Sequence, residues 1–448
     1  MRLAEAALPL NARCVGADRD FTGCSTDSRK LNAGQLFVAL RGQRFDGHDF
    51  VLEAERNGAG GALVESVPPA ATLPMLLVAD TRQAMGRLAS HWRKKFDIPV
   101  VAVTGSNGKT TVKELVAAIL SRRAPVSATQ GNLNNDIGVP ITLFALGAEH
   151  RFAVIEMGAN HTGEIAALTH MAGPTVAVIT QCAPAHLEGF GSIEGVARAK
   201  AEIYTGLSSG GTAVINADDA FADLWREASK GLRQLSFGLE RQADVTALGI
   251  QTGAGFEHST FMLATPRGRI AVSLPLPGRH NILNALAAAA CCEAVDITLE
   301  EIRAGLAAIQ PVKGRLQVKR GLRRSRVLDD TYNANPASLR AALDVLREYP
   351  GRRWLVLGDM GELGGTAAEM HFGAGETARE RGVGRLFTFG ELSRGAVDGF
   401  GTGARHFSTI EDLIRVLQAE LAEDITVLVK GSRAMAMERV VDAVSAGN

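Results

Sequence analysis

Val100-Val101-Ala102-Val103 runs without a break into Thr104-Gly105-Ser106-Asn107-Gly108-Lys109-Thr110-Thr111, and Val112 to Leu120 then carries apolar residues at helical spacing. Apolar, mostly β-branched residues predict a buried parallel strand, the glycine-bounded turn a loop, and the last segment a helix. Such a junction binds anions. Glycines let backbone N–H groups converge, the helix start adds its positive dipole end, Lys109 adds a full charge, and a threonine hydroxyl can ligate Mg²⁺. The position five before Gly108 is Val103, where the common phosphate loop has glycine, so this loop is a shortened variant. A nucleoside triphosphate is the expected ligand, in an α/β frame built on a parallel sheet.

At 448 residues the chain is too long for one ordinary core and predicts about three domains. Its 48 basic and 48 acidic residues cancel, leaving no net field for nucleic acid or an anionic membrane. No run of about 18 apolar residues is present to span a bilayer, and Glu5 interrupts the short apolar start. No secretory signal is expected, and the cytoplasm is the expected location. Five cysteines without Cys-x-x-Cys spacing predict reduced, mostly packed thiols.

Residues 1–80 predict a small α/β domain, with strands at Leu36–Leu40, Gly61–Val64 and Met75–Val78 and a helix at Phe50–Arg56. Its polar clusters, Ser25-Thr26-Asp27-Ser28-Arg29 and Arg41 to Asp46-Gly47-His48, suit surface turns or a pocket for an anionic or sugar-bearing ligand. Residues 81–313 predict the central nucleotide-binding domain. There Gly131-Asn132-Leu133-Asn134-Asn135 precedes a strand ending at Glu156, and the strand Val176–Thr180 leads to His186. Strands alternating with helices give a mainly parallel sheet whose carboxyl ends collect function, and Gly105, Glu156 and His186 stand at such ends. Thr110 and Glu156 are oxygen ligands suited to Mg²⁺, with His186 able to add a nitrogen or serve a second ion; the lesser alternative for Glu156 is a cap on the helix that follows. Lys200, on a predicted helix Ser192–Leu207 beside Glu202, reads on local grounds as a solvated ion pair. Short strands over 210–275 without helical spacers predict a mixed or antiparallel extension. Asn281 and Asn284 share a helix face where amides can read a purine edge, unless Asn281 only caps the helix.

Residues 314–448 predict a third α/β domain, its strands at 327–329, 353–357, 386–389 and 427–430 separated by helices near 338–348, 368–381, 409–422 and 434–444. Each strand ends in a polar or glycine-rich turn: Asp330 to Asn335-Pro336, Gly358-Asp359 to Gly364, Gly390-Glu391, and Gly431-Ser432-Arg433. With no second phosphate loop, this domain is expected to bind an acceptor and reach across to the nucleotide.

In this order the motifs resemble those of the Mur ligase family, the ATP-dependent amide-bond ligases of bacterial peptidoglycan synthesis, and so of cell wall growth and division. Thr104 to Thr110 is similar to the family's short phosphate loop, Glu156, His186 and Lys200 to its magnesium-site residues, and Arg279-His280-Asn281 to its adenine site. Gly131 to Asn135, Asp329 to Pro336, Gly358 to Gly364 and Lys430 to Arg433 are most like the branch that adds a dipeptide, and the Asp-Asn-Pro-Arg motif expected where diaminopimelate or lysine is added is missing. The resemblance implies a small N-terminal α/β domain, a central P-loop ATPase-like domain and a C-terminal Rossmann-like domain in a monomeric enzyme. It implies that ATP phosphorylates the terminal carboxylate of a UDP-N-acetylmuramoyl-tripeptide and that D-alanyl-D-alanine attacks the acyl phosphate. ATP would be held by Gly105 through Thr111 with Asn281 and Asn284, joined by Arg315 and Asp330 from the C-terminal domain. Two Mg²⁺ ions would sit on Thr110, Glu156, His186 and a carbamylated Lys200. The UDP-sugar would meet Ser25, Asp27, Ser28, Arg29, Asp46, Gly47 and His48, which turns the preference there from plain turns to a pocket. Asn132, Asn134, Asn135, Asn333, Asp359 and Arg433 would contact peptide or acceptor. The residues by themselves also suit an amide ligase with another acceptor, a small-molecule kinase, or a nucleotide-switched binding protein.

Overall fold

The computed structural model describes residues 1–184, 187–252 and 258–446. Short apolar strands alternate with helices through most of the chain and gather into four sheets. The first holds, in spatial order, Arg13–Val15, Met75–Leu77, Gly61–Val64, Leu36–Val38 and Cys24–Ser25, parallel except at its first pair. The second is wholly parallel: Arg233–Phe237, Thr212–Asn216, Val176–Ile179, Val100–Thr104, Phe152–Glu156 and Val126–Ala128. Val100–Thr104 is an inner strand there and all five of its residues are buried, as expected where helices cover both faces.

One face of this sheet packs on Leu115, Val116 and Ile119 of the helix Lys109–Leu120 and on the alanine-rich helix Arg279–Glu293. The other face shares one continuous core with the first sheet, so Leu3, Phe21, Met85 and Trp92 belong to the same cluster as Phe144, Ile179 and Trp225. The fourth sheet runs Gln317–Arg320, Arg326–Asp330, Ile425–Lys430, Arg352–Gly358, Arg385–Phe389 and Ala404–Phe407, antiparallel at its first pair alone, with a separate core on each face.

The segment 210–275 departs from expectation. Thr212–Asn216 and Arg233–Phe237 are parallel members of the second sheet, with the helix Ala222–Ala228 between them. Ala222 and Trp225 are that helix's only buried residues, and the Trp225 indole N–H donates to the Ala197 carbonyl at 3.1 Å. Two anchors in seven residues leave no helical period to read. The antiparallel sheet comes later, from Thr246–Thr252, Ser259–Thr265 and Gly268–Leu274. Its first strand bulges at Gly249, where φ is 60° and the register slips between Leu248 and Gln251, so the apolar alternation breaks. Among the described residues no helix is long and apolar enough to cross a membrane, and all five cysteines are free.

Candidate active site

The carboxyl ends of the second sheet's inner strands floor a cleft of about 720 Å³, closed on the far side by Lys313 to Arg315, the turn Thr331 to Ser338, and Arg433. Gly105 to Gly108 turn from strand to helix at this floor, held by the end of the neighbouring strand. The Ser106 N–H donates to the Gln181 carbonyl at 2.8 Å, the Ser106 hydroxyl donates to the Ala183 carbonyl and accepts its N–H, both at 3.0 Å, and the Thr180 hydroxyl donates to the Asn107 carbonyl at 2.5 Å. Gly105 has φ +149° and Gly108 φ +82°; a β-carbon at 105 would overlap the Thr180 hydroxyl and one at 108 the Asn284 amide. Gly105→Ala is therefore expected to weaken ATP binding by about tenfold or more and to cost roughly 1–3 kcal/mol of stability, read by calorimetric titration and thermal melting. Binding within about twofold of wild type would show that the turn can open to admit the methyl group.

Cations converge on this turn. Lys109 Nζ donates to the Gly105 carbonyl at 2.7 Å. Burial lowers its pKa, the Glu156 carboxylate opposes that, and Arg315 adds to it. Arg315 enters from the fourth sheet's side: its guanidinium lies 4.0 Å over the Tyr332 ring, one terminal nitrogen is 3.5 Å from the Thr110 hydroxyl, and its Nε is buried without a partner among the described residues. Lys200 is 3% exposed, which overturns the solvated pair read from its neighbourhood in sequence. The helix Ile193–Ala201 buries Val196, Ala197, Ala199 and Lys200 together, while the Glu202 carboxylate turns away and accepts the N–H groups of Gly163 and Ala166 at 2.8 and 3.1 Å, at the start of the helix Glu164–Ala172. Burial first, and Lys109 second, push the Lys200 pKa down to about 7.

Glu156, 2% exposed, caps no helix. Its N–H donates to the Thr129 hydroxyl at 3.0 Å, one carboxylate oxygen accepts the Asn134 amide at 2.8 Å, and the other is buried with no partner among the described residues. A buried carboxylate oxygen left open toward a cleft is a fitting ligand for a divalent cation. Thr129 is itself fastened by Lys113, whose buried amine donates to the Thr129 carbonyl at 2.7 Å; nothing in the local sequence marks that lysine. His186 lies outside the described residues. Among those described, no three of His, Cys, Asp and Glu gather into a metal cluster, and the oxygen donors at the loop are Thr110 and Glu156.

Asn132, Asn134, Asn135, Asn333 and Arg433 line the same cleft. Asn135 also accepts the Gly138 N–H at 2.9 Å, starting the helix Gly138–Phe144, and Arg433 pairs with Glu438 at 2.9 Å. Thr111, Asn281 and Arg315 line a smaller crevice that meets the cleft at Arg315. Asn281 is no helix cap: its amide donates to the Pro277 carbonyl at 2.7 Å and its oxygen accepts from Asn284 at 3.3 Å. Asp330 stands below the cleft with both oxygens engaged, by the Leu316 N–H at 3.2 Å and the buried Lys430 at 2.5 Å. Asp359 does not join the cleft, because the Gly390 turn folds onto it and the Ser393 N–H donates to its carboxylate at 2.7 Å.

The N-terminal candidates also lie apart, in turns that satisfy their own polar groups. The Ser25 hydroxyl donates to the Asp27 carbonyl at 3.0 Å, Asp27 caps the short helix Ser28–Lys30 and pairs with Arg29, and the Ser28 hydroxyl donates to Glu53. Asp46 accepts from the His48 main chain and ring, while His48 Nε2 accepts the Glu65 N–H at 2.8 Å. At Gly47 a β-carbon would stand 2.6 Å from the Leu40 backbone, so the turn needs glycine. Asn335, by contrast, stands in sequence only within the strand-end turn before Pro336, yet it caps the helix Pro336–Glu348 and its amide donates to Asn107 Oδ1 at 2.7 Å across the cleft.

Comparison with known proteins places these features in one family. Residues 20–93 match the description "Mur ligase family, catalytic domain", residues 103–292 "Mur ligase middle domain", and residues 314–433 "Mur ligase, glutamate ligase domain". The chain is 48% identical over 439 residues to the UDP-N-acetylmuramoyl-tripeptide--D-alanyl-D-alanine ligase of Escherichia coli (strain K12), covering 97% of this chain and 96% of that one. The protein of that name from Bacillus subtilis (strain 168) is 34% identical over 429 residues, covering 94% and 92%. A crystal structure of MurF from Acinetobacter baumannii superposes with a TM-score of 0.91 at 38% identity, over 98% of this chain and 97% of that one. The MurF ligase of Thermotoga maritima, solved in complex with ADP, gives 0.82 at 29% identity over 94% and 96%. Matched in three successive segments and by relatives along nearly its whole length, the chain belongs to the Mur ligase family.

Proposed function

We propose that the chain joins D-alanyl-D-alanine to UDP-N-acetylmuramoyl-tripeptide with ATP, an ADP-forming amide ligation that supplies peptidoglycan precursor. The observation that carries the chemistry is the cleft itself, where Lys109, Arg315 and the open oxygen of Glu156 stand at a phosphate loop and face a second α/β unit. The names of relatives 48% and 34% identical support the two substrates.

In this reading the tripeptide carboxylate takes the γ-phosphoryl group, giving an acyl phosphate and ADP. The dipeptide amine then bonds to the acyl carbon, a proton leaves the nitrogen and phosphate leaves the carbon. Lys109 and Arg315 offset the charge that crowds onto the phosphoryl oxygens, and their burial strengthens that attraction. Thr110 and Glu156 would hold Mg²⁺, which supplies further charge neutralisation when bound. Lys200, with a pKa of about 7, carries a free amine in much of the population at neutral pH. That amine could add to CO₂ with loss of one proton, and the resulting carbamate, with His186, would offer oxygen and nitrogen to a second ion. We assign residues 1–80 to the UDP-sugar, 81–313 to ATP and 314–448 to the acceptor. In the first of these Arg29, 78% exposed and paired with Asp27, would have to exchange that carboxylate for a diphosphate, while Gly47 and His48 shape a turn of the same domain. The cytoplasm, which supplies ATP, is the location that suits this reaction.

Phosphate release from ATP in the presence of UDP-N-acetylmuramoyl-tripeptide is expected to depend on added D-alanyl-D-alanine, with a product whose mass is the sum of both substrates less one water. Release that ignores the dipeptide, or a stable phosphorylated product, would replace the ligase with a hydrolase or a kinase.

A further inference from the structure

We propose that Asn335 is a positioning residue for the nucleotide, acting through Asn107 by deciding which end of that amide faces the phosphate site. The inference rests on Gly105 to Thr111 being the phosphate loop of ATP. Asn335 begins the helix Pro336–Glu348, and its Oδ1 accepts the Ser338 N–H at 2.8 Å while the Ser338 hydroxyl accepts the Asn335 N–H at 3.1 Å. With Oδ1 committed to the cap, the side chain can present only its amide N–H groups outward. They meet Asn107 Oδ1 at 2.7 Å, so Asn107 must accept at that contact and turn its own Nδ2 elsewhere. The Asn107 main chain is already fixed by the Thr180 hydroxyl, which leaves the amide's orientation as the remaining freedom.

Asn107 Nδ2 is buried and has no partner among the described residues, in a residue that lines the cleft between Ser106 and Gly108. A dehydrated donor without a partner calls for a group that only accepts, and a phosphoryl oxygen is such a group. The order Ser338 N–H to Asn335, Asn335 to Asn107, Asn107 to phosphate is thus set from the helix backbone outward. Because the middle bond crosses from the fourth sheet's unit to the second sheet's loop, nucleotide binding and the docking of that unit favour each other reciprocally.

Asn335→Ser retains an acceptor for the helix cap but cannot reach Asn107, and adds no charge. Its affinity for a non-hydrolysable ATP analogue, measured by calorimetric titration, is expected to fall by about tenfold, the scale of one charge-assisted hydrogen bond. Its melting temperature should stay within about 2 °C of wild type. In an Asn107→Ala background, which has no amide to orient, Asn335→Ser should cost no further affinity. Unchanged affinity in the single variant, or a full additional loss in the Asn107→Ala background, would overturn the proposal, as would an affinity loss that tracks a fall in melting temperature. Failure of wild-type protein to bind the analogue at all would instead overturn the assignment of the loop to ATP.

Discussion

Lys109→Met is expected to lower kcat by about 10³-fold or more while the melting temperature stays the same or rises. The amine stands among Gly105, Glu156 and Arg315 at the point where phosphoryl charge must be met, and no other lysine of the loop can replace it. Its only hydrogen bond among those described is to the Gly105 carbonyl at 2.7 Å, so methionine keeps the volume and loses one contact. Burial holds the lysine pKa below its ordinary value, which means the folded state carries this charge at a cost to stability. ADP release in a coupled assay and differential scanning fluorimetry read the two parts. A fall in melting temperature beyond about 5 °C would make Lys109 a structural residue instead.

Lys200→Ala is expected to cost about 10²-fold or more in rate, part of which formate, acetate or propionate should restore by placing a carboxylate in the vacated space. The carbamate also sets a pH signature. Below the Lys200 pKa of about 7 the side chain is an ammonium and cannot attack CO₂; above it the free amine predominates. Wild-type activity in CO₂-stripped buffer should therefore recover on addition of bicarbonate at about pH 8 and far less at about pH 6. Equal activity with and without bicarbonate at both pH values, together with no rescue by any acid, would remove the carbamate. Stability carries the matching sign. The unfolded chain keeps this lysine protonated up to its ordinary pKa of 10.5 while the native state releases the proton at about 7, so the group's cost to stability is full below about 7 and is relieved as pH rises from about 7 to 10.5.

The second sheet's strand Val100–Thr104, its loop and the following helix are legible in sequence because each carries its own period or turn chemistry within about 20 residues. The strand-end acid Glu156 is legible for the same reason. What distinguishes Lys200 from a surface lysine is not local: its neighbours Val196, Ala197 and Ala199 are small or β-branched, and only the packing of the helix onto the sheet decides that position 200 faces inward. The Ala222–Ala228 spacer escapes a sequence reading because one tryptophan replaces a hydrophobic stripe, and Thr246–Thr252 because a bulge at Gly249 breaks its alternation. Asn335 reads in sequence as part of a strand-end turn, and its bond across the cleft goes to a residue 228 positions earlier in the chain, a distance over which no local rule operates. Asp359 shows the converse: a motif glycine-rich enough to suggest a ligand loop folds back to hold a neighbouring turn.

The shared core of the first two sheets has a consequence for how the chain is made. Leu3, Phe21, Met85 and Trp92 leave the ribosome well before Phe144, Ile179 and Trp225, with which they finally pack. The nascent N-terminal segment must therefore keep apolar surface uncovered until roughly a hundred further residues have followed, the interval in which a chaperone or a premature collapse would act on it. The last sheet has no such wait. Its cores draw on residues from 316 onward, so the final third of the chain can close on itself as soon as its last strand and helix emerge.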